Sequence, residues 1–316
     1  MDLEQGLHMD LELERRLGRL GFRRLSPKDK PLFDPYYDRM NDYWASSDCF
    51  ASMNAWNHSV VIYHKVIRTY IVCLAWDYYG KRMVLLPFLG YYRQEDINET
   101  MEAVREILTE LKLPLVMTDV TRWMRPYYER VPNLELEVID DRDLQDYIYR
   151  ADDFVHAMDT QERRYDYRYF IRKYQPVTEI ITPGHQETCM EFLKRVWCTE
   201  HICEECRYGC LLDTISCAVA GIDKLDAHGI LVRVENRVVG YCVVTCRKGL
   251  GIYHFKKTER GFRGINEYLH KECFTRFLSD ARIINYTEDM GSEGLRKYKC
   301  RLAPYTLEPK YELRER

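Results

Sequence analysis

The sequence predicts an α/β protein of the α+β kind, built as two tandem lobes that each hold a mixed, mainly antiparallel sheet flanked by helices. Its 316 residues suit two domains. Its hydrophobic fraction of 46% and charged fraction of 31% are ordinary for globular proteins. A similar order of strands and helices is predicted in each half. We therefore place the lobes at residues 1–155 and 156–316, with a linker between Ile139 and Tyr174.

The elements of the first lobe follow from runs rich in Val and Ile and from apolar residues at helical spacing. Gly80 suits the turn between the second and third strands. Asp96 and Glu99 suit a capping box at the start of the main helix, and Pro114 marks its end. The predicted elements are strands Ser59–Val66, Thr69–Trp76 and Met83–Leu89, a helix over Met101–Leu111, strand Leu115–Val120, a short helix at Arg122–Arg130 and strand Leu134–Ile139.

The second lobe opens with two helices and then repeats the three-strand order. Thr182 and Pro183 suit the start of the first helix, and Gly229 suits the end of the second. Asn236 and Arg237 are predicted to form a hairpin turn. The predicted elements are helices over Met190–Trp197 and Leu212–Leu225, strands Ile230–Val234, Val238–Thr245 and Leu250–Phe255, a helix over Ile265–Phe277, strand Arg282–Tyr286, a short helix near Gly291 and an extended tail at Tyr305–Leu313.

Charge and hydropathy restrict the classes of protein to which the chain can belong. The net charge is −3, so any contact with nucleic acid requires a local basic patch. The acidic start lacks the basic and apolar regions of a signal peptide, and no apolar run reaches the length of a transmembrane segment. The 12 Cys are then expected to be reduced thiols, which points to a cytoplasmic protein.

One C-terminal segment carries a specific family resemblance. Ile284–Lys297 reads INYTEDMGSEGLRK and is similar to the motif INREQDLGIPGLRKAK of the phosphatidylglycerol lysyltransferase C-terminal-domain family. The resemblance spans about residues 20 to 313. Shorter segments that resemble family motifs occur in the expected order: Phe50, Asn54 and Trp56, then Asp146–Tyr149, Trp197, Ala218–Gly229, His254 and Phe255, and finally Pro304 and Tyr311.

The resemblance implies two fused GNAT-like acyltransferase lobes, as in the Fem peptidyltransferases. It also implies transfer of an aminoacyl group from aminoacyl-tRNA to an acceptor, with a phospholipid at a membrane surface as one possible partner. This chain departs from the family at Lys256, where a Glu is usual, and in the segment Arg168–Tyr174. Two alternatives stay open: an N-acyltransferase that uses acyl-CoA, and a non-catalytic binding or regulatory protein, which these departures motivate.

The expected active site lies where the strands ending at Phe255 and Tyr286 separate. Aminoacyl transfer requires orientation of both substrates, stabilisation of an oxyanion and acceptance of one proton. Each candidate also has a structural interpretation: a buried histidine, a helix cap or a solvated charge. The candidate catalytic residues are His254, Asn285, Glu288, Asp289, Arg296 and Lys299.

Basic and aromatic residues alternate over Arg163–Tyr174, as expected for a surface that binds single-stranded RNA. The alternative is a helix whose rings pack inside the protein and whose charges face water. Gly and basic residues at Arg260–Gly264 form a weaker anion-binding signal. The candidate substrate-binding residues are Arg168, Arg172, Arg260, Arg263, Asn266 and Tyr305.

Four cysteines form a compact cluster with the spacing C-x4-C-x2-C-x3-C. Thiolates at such spacing can hold zinc or an iron–sulfur cluster. The last three also recur at helical spacing, which is typical of small apolar residues on a helix face. The candidate metal ligands are Cys198, Cys203, Cys206 and Cys210, and no other cofactor is expected.

Overall fold

A computed structural model describes residues 11–42, 44–57, 60–77, 81–198 and 210–316. These residues form two compact units. The first contains the described residues up to 42, those of 56–141, and 309–316. The second contains 44–55 and the described residues of 142–308. Residues 142–155, which the sequence-based division assigns to the first lobe, thus lie in the second unit.

The strands are, in chain order, β1 (Arg23–Arg24), β2 (Val60–Ile67), β3 (Tyr70–Asp77), β4 (Arg82–Leu85), β5 (Val116–Val120), β6 (Leu136–Ile139), β7 (Asp146–Arg150), β8 (Val177–Ile180), β9 (Ala227–Val234), β10 (Arg237–Arg247), β11 (Leu250–Thr258), β12 (Ile283–Asn285), β13 (Thr306–Glu308) and β14 (Tyr311–Glu315).

The α-helices are α1 (Leu11–Arg19), α2 (Lys30–Arg39), α3 (Phe50–Trp56), α4 (Gln94–Leu111), α5 (Arg125–Glu129), α6 (Ala151–Met158), α7 (Gln161–Tyr174), α8 (Gln186–Leu193), α9 (Leu211–Ala220), α10 (Ile265–Phe277) and α11 (Glu293–Cys300).

Each unit contains one seven-stranded sheet, and the two sheets follow the same plan. The order is β1-β2-β3-β4-β5-β14-β6 in the first and β8-β9-β10-β11-β12-β7-β13 in the second. In both sheets the first four strands are antiparallel, the fourth and fifth are parallel, and the last two are again antiparallel. The predicted mixed, mainly antiparallel sheets are therefore confirmed.

The strand in the sixth position of each sheet comes from the other half of the chain. β7 follows β6 directly, yet it pairs with β12 and β13 in the second sheet. β14 follows β13, yet it pairs with β5 and β6 in the first. The expected linker therefore contains a buried strand of the second unit, together with α6 and α7. The tail at Tyr305–Leu313, expected to be one extended segment, supplies strands to two different sheets.

Several predicted helix ends and turns are wrong. Helix α4 begins at Gln94 with Arg93 as its N-cap, so Asp96 and Glu99 form no capping box. Helix α9 ends at Ala220, and Gly229 lies inside β9. A Cβ atom on Gly229 would lie 2.8 Å from the carbonyl oxygen of Cys242, so a close approach of strands explains this glycine. The β9–β10 turn is formed by Glu235 and Asn236, both with positive φ.

The second sheet opens where its parallel strands diverge. β12 pairs with β11 only over Leu250–Ile252, and β11 continues to Thr258 beyond that point. A bulge follows at once in β11, since Val244 faces Tyr253 and Val243 faces Phe255. His254 is the extra residue of this bulge. Helix α10 packs over one face of the sheet, and its buried Ile265, Leu269 and Cys273 belong to the core of this unit.

Candidate functional site

The bulge in β11 determines which side chains share a face of the second sheet. Side chains normally alternate along a strand, so His254 and Lys256 would be expected on one side. The extra residue reverses the alternation. Tyr253 belongs to the core beneath α10, and Lys256 reaches residues of the same helix, whereas His254 contacts Thr245 on the opposite face.

A cluster of polar side chains surrounds Lys256 beside the opening of the sheet; we call it the Lys256 cluster. It consists of Lys256, Asn266, His270, Tyr286 and Tyr298. The Lys256 ammonium donates to Asn266 Oδ1 at 2.8 Å, to His270 Nε2 at 2.9 Å and to the Tyr298 hydroxyl at 3.3 Å. The Tyr298 and Tyr286 hydroxyls lie 2.9 and 3.2 Å from the same His270 nitrogen.

The cluster places a cation among neutral groups. Within the described ranges, Lys256 makes no ion pair with a carboxylate, and its ammonium lies 4.8 Å from the ring centroid of Tyr298. Burial, and then the charges of Lys256 and Arg163, hold the pKa of His270 well below its usual 6.5. His270 is therefore neutral and accepts the Lys256 proton at Nε2. A half-buried ammonium without a counter-ion can bind an anion or a developing oxyanion.

His254, a predicted catalytic residue, is held on the opposite face. Its Nε2 lies 2.8 Å from Thr245 Oγ1. Burial lowers the pKa of His254 to about 4, although the negative charge of Asp146 acts in the opposite direction. A histidine that stays neutral at physiological pH and is bonded to a buried threonine suits a structural role.

Asn285, the second predicted catalytic residue, is fully buried on the same face as His254. Its amide nitrogen donates to the carbonyl of Trp44 at 2.7 Å and to Asp146 Oδ2 at 2.8 Å. Its amide oxygen accepts from the backbone N–H of Thr287 at 2.7 Å. Asn285 thus joins segment 44–55 to the sheet and fixes the start of the loop after β12.

Asp289, Arg296 and Lys299 hold that loop, the first two as an ion pair and Lys299 through the loop backbone. Asp289 is fully buried and accepts from Arg296 Nε at 3.0 Å, from Tyr147 at 2.6 Å and from Arg142 at 3.3 Å. These donors, Arg296 first, lower its pKa to about 2 even though burial raises it. Arg296 also binds Asp143 at 2.6 Å.

Lys299 and Glu288 complete the same loop. The buried Lys299 ammonium donates to the carbonyls of Tyr286, Thr287 and Glu288, the last at 2.7 Å. The structure therefore brings Asp289, Arg296 and Lys299 together in one network, with Glu288 contributing its backbone. The network meets the Lys256 cluster at Tyr286, whose backbone carbonyl accepts from Lys299.

The predicted substrate-binding residues fall into four places. Asn266 belongs to the Lys256 cluster. Arg168 and Arg172 are exposed on α7, and Arg263 lies beside that helix, bound to Asp166 at 2.7 Å. Arg260 is exposed just after the end of β11. Tyr305 packs against Trp44 and Arg150 and does not contact the cluster.

Sequence reasoning missed three members of the Lys256 cluster: His270, Tyr286 and Tyr298. Asn266 and His270 are four residues apart on α10, a spacing that places them on one helix face. This signal was available in the sequence. The position of Tyr298 on α11 was not, because no local pattern relates that helix to β11.

The predicted cysteine cluster lies largely outside the described residues, since Cys203 and Cys206 fall in the gap between 198 and 210. Cys198 and Cys210 at its edges are partly buried thiols. Within the residues that the structure describes, no group of three or more His, Cys, Asp or Glu is arranged to hold a metal ion. The metal site stays a prediction.

No helix in the described ranges combines the length and the hydropathy needed to cross a membrane.

Three solved structures share this fold at low sequence identity. A conserved protein of unknown function from Bacteroides thetaiotaomicron superposes with a TM-score of 0.80 at 20% identity, covering 93% of this chain and 99% of its own. FemX gives 0.61 at 11%, covering 93% and 97%. L-PGS from Bacillus licheniformis gives 0.53 at 13%, covering 97% and 92%. The expected pair of tandem GNAT-like lobes is confirmed.

No curated protein matches the sequence. Residues 39–314 match the family described as phosphatidylglycerol lysyltransferase, C-terminal. The match covers most of the chain and agrees with the motif at Ile284–Lys297. The chain therefore belongs to the family of the phosphatidylglycerol lysyltransferase C-terminal domain.

Proposed function

We propose that the chain is an aminoacyltransferase that takes its aminoacyl group from aminoacyl-tRNA and carries out the transfer at the Lys256 cluster. Its family and fold support a transferase of the acyltransferase kind. The observation that carries the proposal is the Lys256 ammonium, which among the described residues is bound by neutral groups alone, at the place where β11 and β12 separate.

In the proposed reaction, an amine or hydroxyl of the acceptor attacks the ester carbonyl carbon of the aminoacyl-tRNA. A new bond forms between that carbon and the acceptor, and the bond to the ribose oxygen breaks. The acceptor loses one proton and the ribose hydroxyl gains one, so no further reactant is needed. The Lys256 ammonium would stabilise the oxyanion that forms between these steps.

The other members of the cluster would position that ammonium. Asn266 and His270 hold it from α10 without neutralising its charge. The Tyr298 hydroxyl, 3.3 Å from the ammonium and 2.9 Å from His270 Nε2, is placed to relay the proton between acceptor and ribose oxygen. His270 itself is a weak base, because its pKa is held well below the usual value.

The acyl-CoA alternative has less support. GNAT enzymes hold the pyrophosphate of the cofactor at the start of the helix equivalent to α10, where backbone N–H groups attract anions. Here the backbone of α7 lies against Gly264, the N-cap residue of α10. A Cβ atom on Gly264 would lie 2.1 Å from the carbonyl oxygen of Asp166, and Arg263 is bound to the Asp166 carboxylate.

The test is transfer of a radiolabelled amino acid from charged tRNA to phosphatidylglycerol vesicles or to small amines, followed by extraction of the acceptor. We expect Lys256→Met to lower the rate about 100-fold or more, as for loss of an oxyanion donor. Lys224→Met is a matched control, since Lys224 is an exposed lysine of the same unit. Transfer from acetyl-CoA instead, or equal rates for both variants, would contradict the proposal.

A further inference from the structure

We infer that the exposed face of α7 binds the unpaired 3′ end of an RNA and leads it to the Lys256 cluster. The inference deepens the proposed function, on which it rests for the identity of the RNA. It concerns a surface outside the cluster, formed by Arg164, Tyr165, Arg168, Tyr169, Arg172 and Lys173; we call this surface the α7 face.

The α7 face carries a row of arginines. Arg164, Arg168 and Arg172 recur every fourth residue, so they stand about 6 Å apart along one side of the helix. All three are exposed. Arg164 is paired with Asp159 at 3.0 Å, but Arg168 and Arg172 make no ion pair within the part of the chain that the structure describes. The helix has five basic and two acidic residues in a chain whose net charge is −3.

Aromatic rings lie beside this row. Tyr165 and Tyr169 are stacked with ring centroids 6.3 Å apart and planes 23° apart, and Tyr165 is 57% exposed. The Arg263 guanidinium lies 5.3 Å from both ring centroids and is held there by Asp166. The exposed Tyr165 ring and the half-buried Tyr169 ring next to a cationic row suit unpaired bases, which stack on rings while their phosphates contact arginines.

The remaining side of the helix explains why these rings do not belong to the core. Phe170 is fully buried and packs on Tyr268 of α10 at 5.1 Å. Tyr167 stacks on the same ring at 5.7 Å. The core side of α7 is thus supplied by other aromatic residues, and Tyr165 and Tyr169 remain on the surface.

The first turn of α7 lies beside the Lys256 cluster through Arg163, a residue on the core side of the helix, opposite the α7 face. Arg163, in the first turn of α7, lies 3.9 Å from Glu267 of α10 and 6.0 Å from the ring centroid of Tyr298. We place the 3′ end of the strand at this N-terminal end of α7, where the first turn of the helix lies next to Tyr298. A duplex or an anionic lipid surface could use the arginines, but neither would use the stacked rings.

The test uses a fluorescent single-stranded RNA of about a dozen nucleotides that carries no amino acid. Its binding is measured by anisotropy across a salt series. We expect Arg168→Gln/Arg172→Gln to weaken binding about 10- to 100-fold and to reduce the slope of log affinity against log salt by about 1.4. We expect Tyr165→Ala/Tyr169→Ala to weaken binding about 5- to 100-fold with the slope unchanged.

Arg15→Gln/Arg130→Gln is the matched control, because it removes the same charge from exposed positions of the first unit. The inference fails if this control weakens binding as much as the α7 variants. It also fails if a blunt RNA duplex or phosphatidylglycerol vesicles bind more tightly than the single strand. Because the RNA carries no amino acid, this result is independent of the transfer assay: transfer without dependence on α7 would leave the proposed function standing.

Discussion

The ammonium of Lys256 lies 2.9 Å from the Nε2 atom of His270, and the histidine is the acceptor in this contact. The pairing keeps a positive charge half-buried without neutralising it. It is possible because burial and neighbouring cations keep His270 unprotonated. A carboxylate in place of Asn266 or His270, the two α10 residues that accept from Lys256, would neutralise the charge of the ammonium.

Replacing Asn266 by Asp tests that property directly. Asn266 Oδ1 is 2.8 Å from the Lys256 ammonium, so Asn266→Asp would pair the cation with a carboxylate of almost the same shape. We expect the transfer rate to fall about 10- to 100-fold while the protein remains as stable as the wild type. Asn98→Asp makes the same change on α4 of the first unit and should leave the rate unaltered. Full activity of Asn266→Asp would contradict the role of the unpaired charge.

His254 should make the stability of the protein sensitive to acid. Its pKa is about 4 in the folded protein, against an ordinary histidine value of 6.5, so the unfolded chain binds the proton more strongly. Its stabilising effect is present above pH 6.5 and is lost as the pH falls toward 4, by at most about 3 kcal/mol. His254→Gln should therefore lose less stability than the wild type between pH 7.5 and 5, as measured by urea unfolding. His228→Gln, an exposed histidine on β9, is the control and should behave as the wild type does.

Asp289 should contribute to stability rather than to the rate of transfer. Asp289→Asn would leave Arg296 and Arg142 without their buried partner, which we expect to lower the free energy of unfolding by about 3 kcal/mol. Because the folded pKa is about 2, this contribution is present above pH 4 and is lost as the pH falls toward 2. Asp280→Asn, at an exposed position, is the control. A large loss of activity without loss of stability would instead support the prediction that Asp289 is catalytic.

Gly264 should be essential for the packing of α7 on α10. Gly264 and Gly261 both have positive φ, 88° and 94°, so alanine is strained at either position. Only at Gly264 would the added Cβ meet another chain segment, 2.1 Å from the Asp166 carbonyl. We expect Gly261→Ala to destabilise by about 1 kcal/mol and Gly264→Ala by about 1–3 kcal/mol more. Thermal unfolding monitored by tyrosine fluorescence would compare them, and equal losses would show that α7 is not held at this point.

The sequence predicted most strands of both sheets because their hydrophobic patterns are local. It failed where the outcome depends on distant parts of the chain. Asp146–Arg150 was expected in a linker, since nothing within it indicates that it pairs with Ile283–Asn285. Nothing in the sequence indicates the bulge at His254 either. Strict alternation of side chains along β11 would have put His254 and Lys256 on one face.

In the candidate site, too, contacts within a local motif were predictable, whereas contacts with distant residues were not. The proximity of Asp289 and Arg296 was predictable from the local motif, but their contacts with Arg142, Asp143 and Tyr147 were not. Without these contacts, the acidic and basic residues of the motif resemble unoccupied catalytic groups. With them, they form a network that fixes the loop after β12.

The late position of β14 in the chain determines when the first sheet can be completed during synthesis. β6 has β14 as its neighbour in the first sheet, so that sheet stays unfinished until residues 311–315 have left the ribosome. A chain interrupted before residue 311 would expose an edge of β5 and leave β6 unattached, even though every other strand of that sheet had been synthesised. Such a fragment would be prone to aggregate, so a stop codon shortly before position 311 would damage the unit built mainly from residues 11–141.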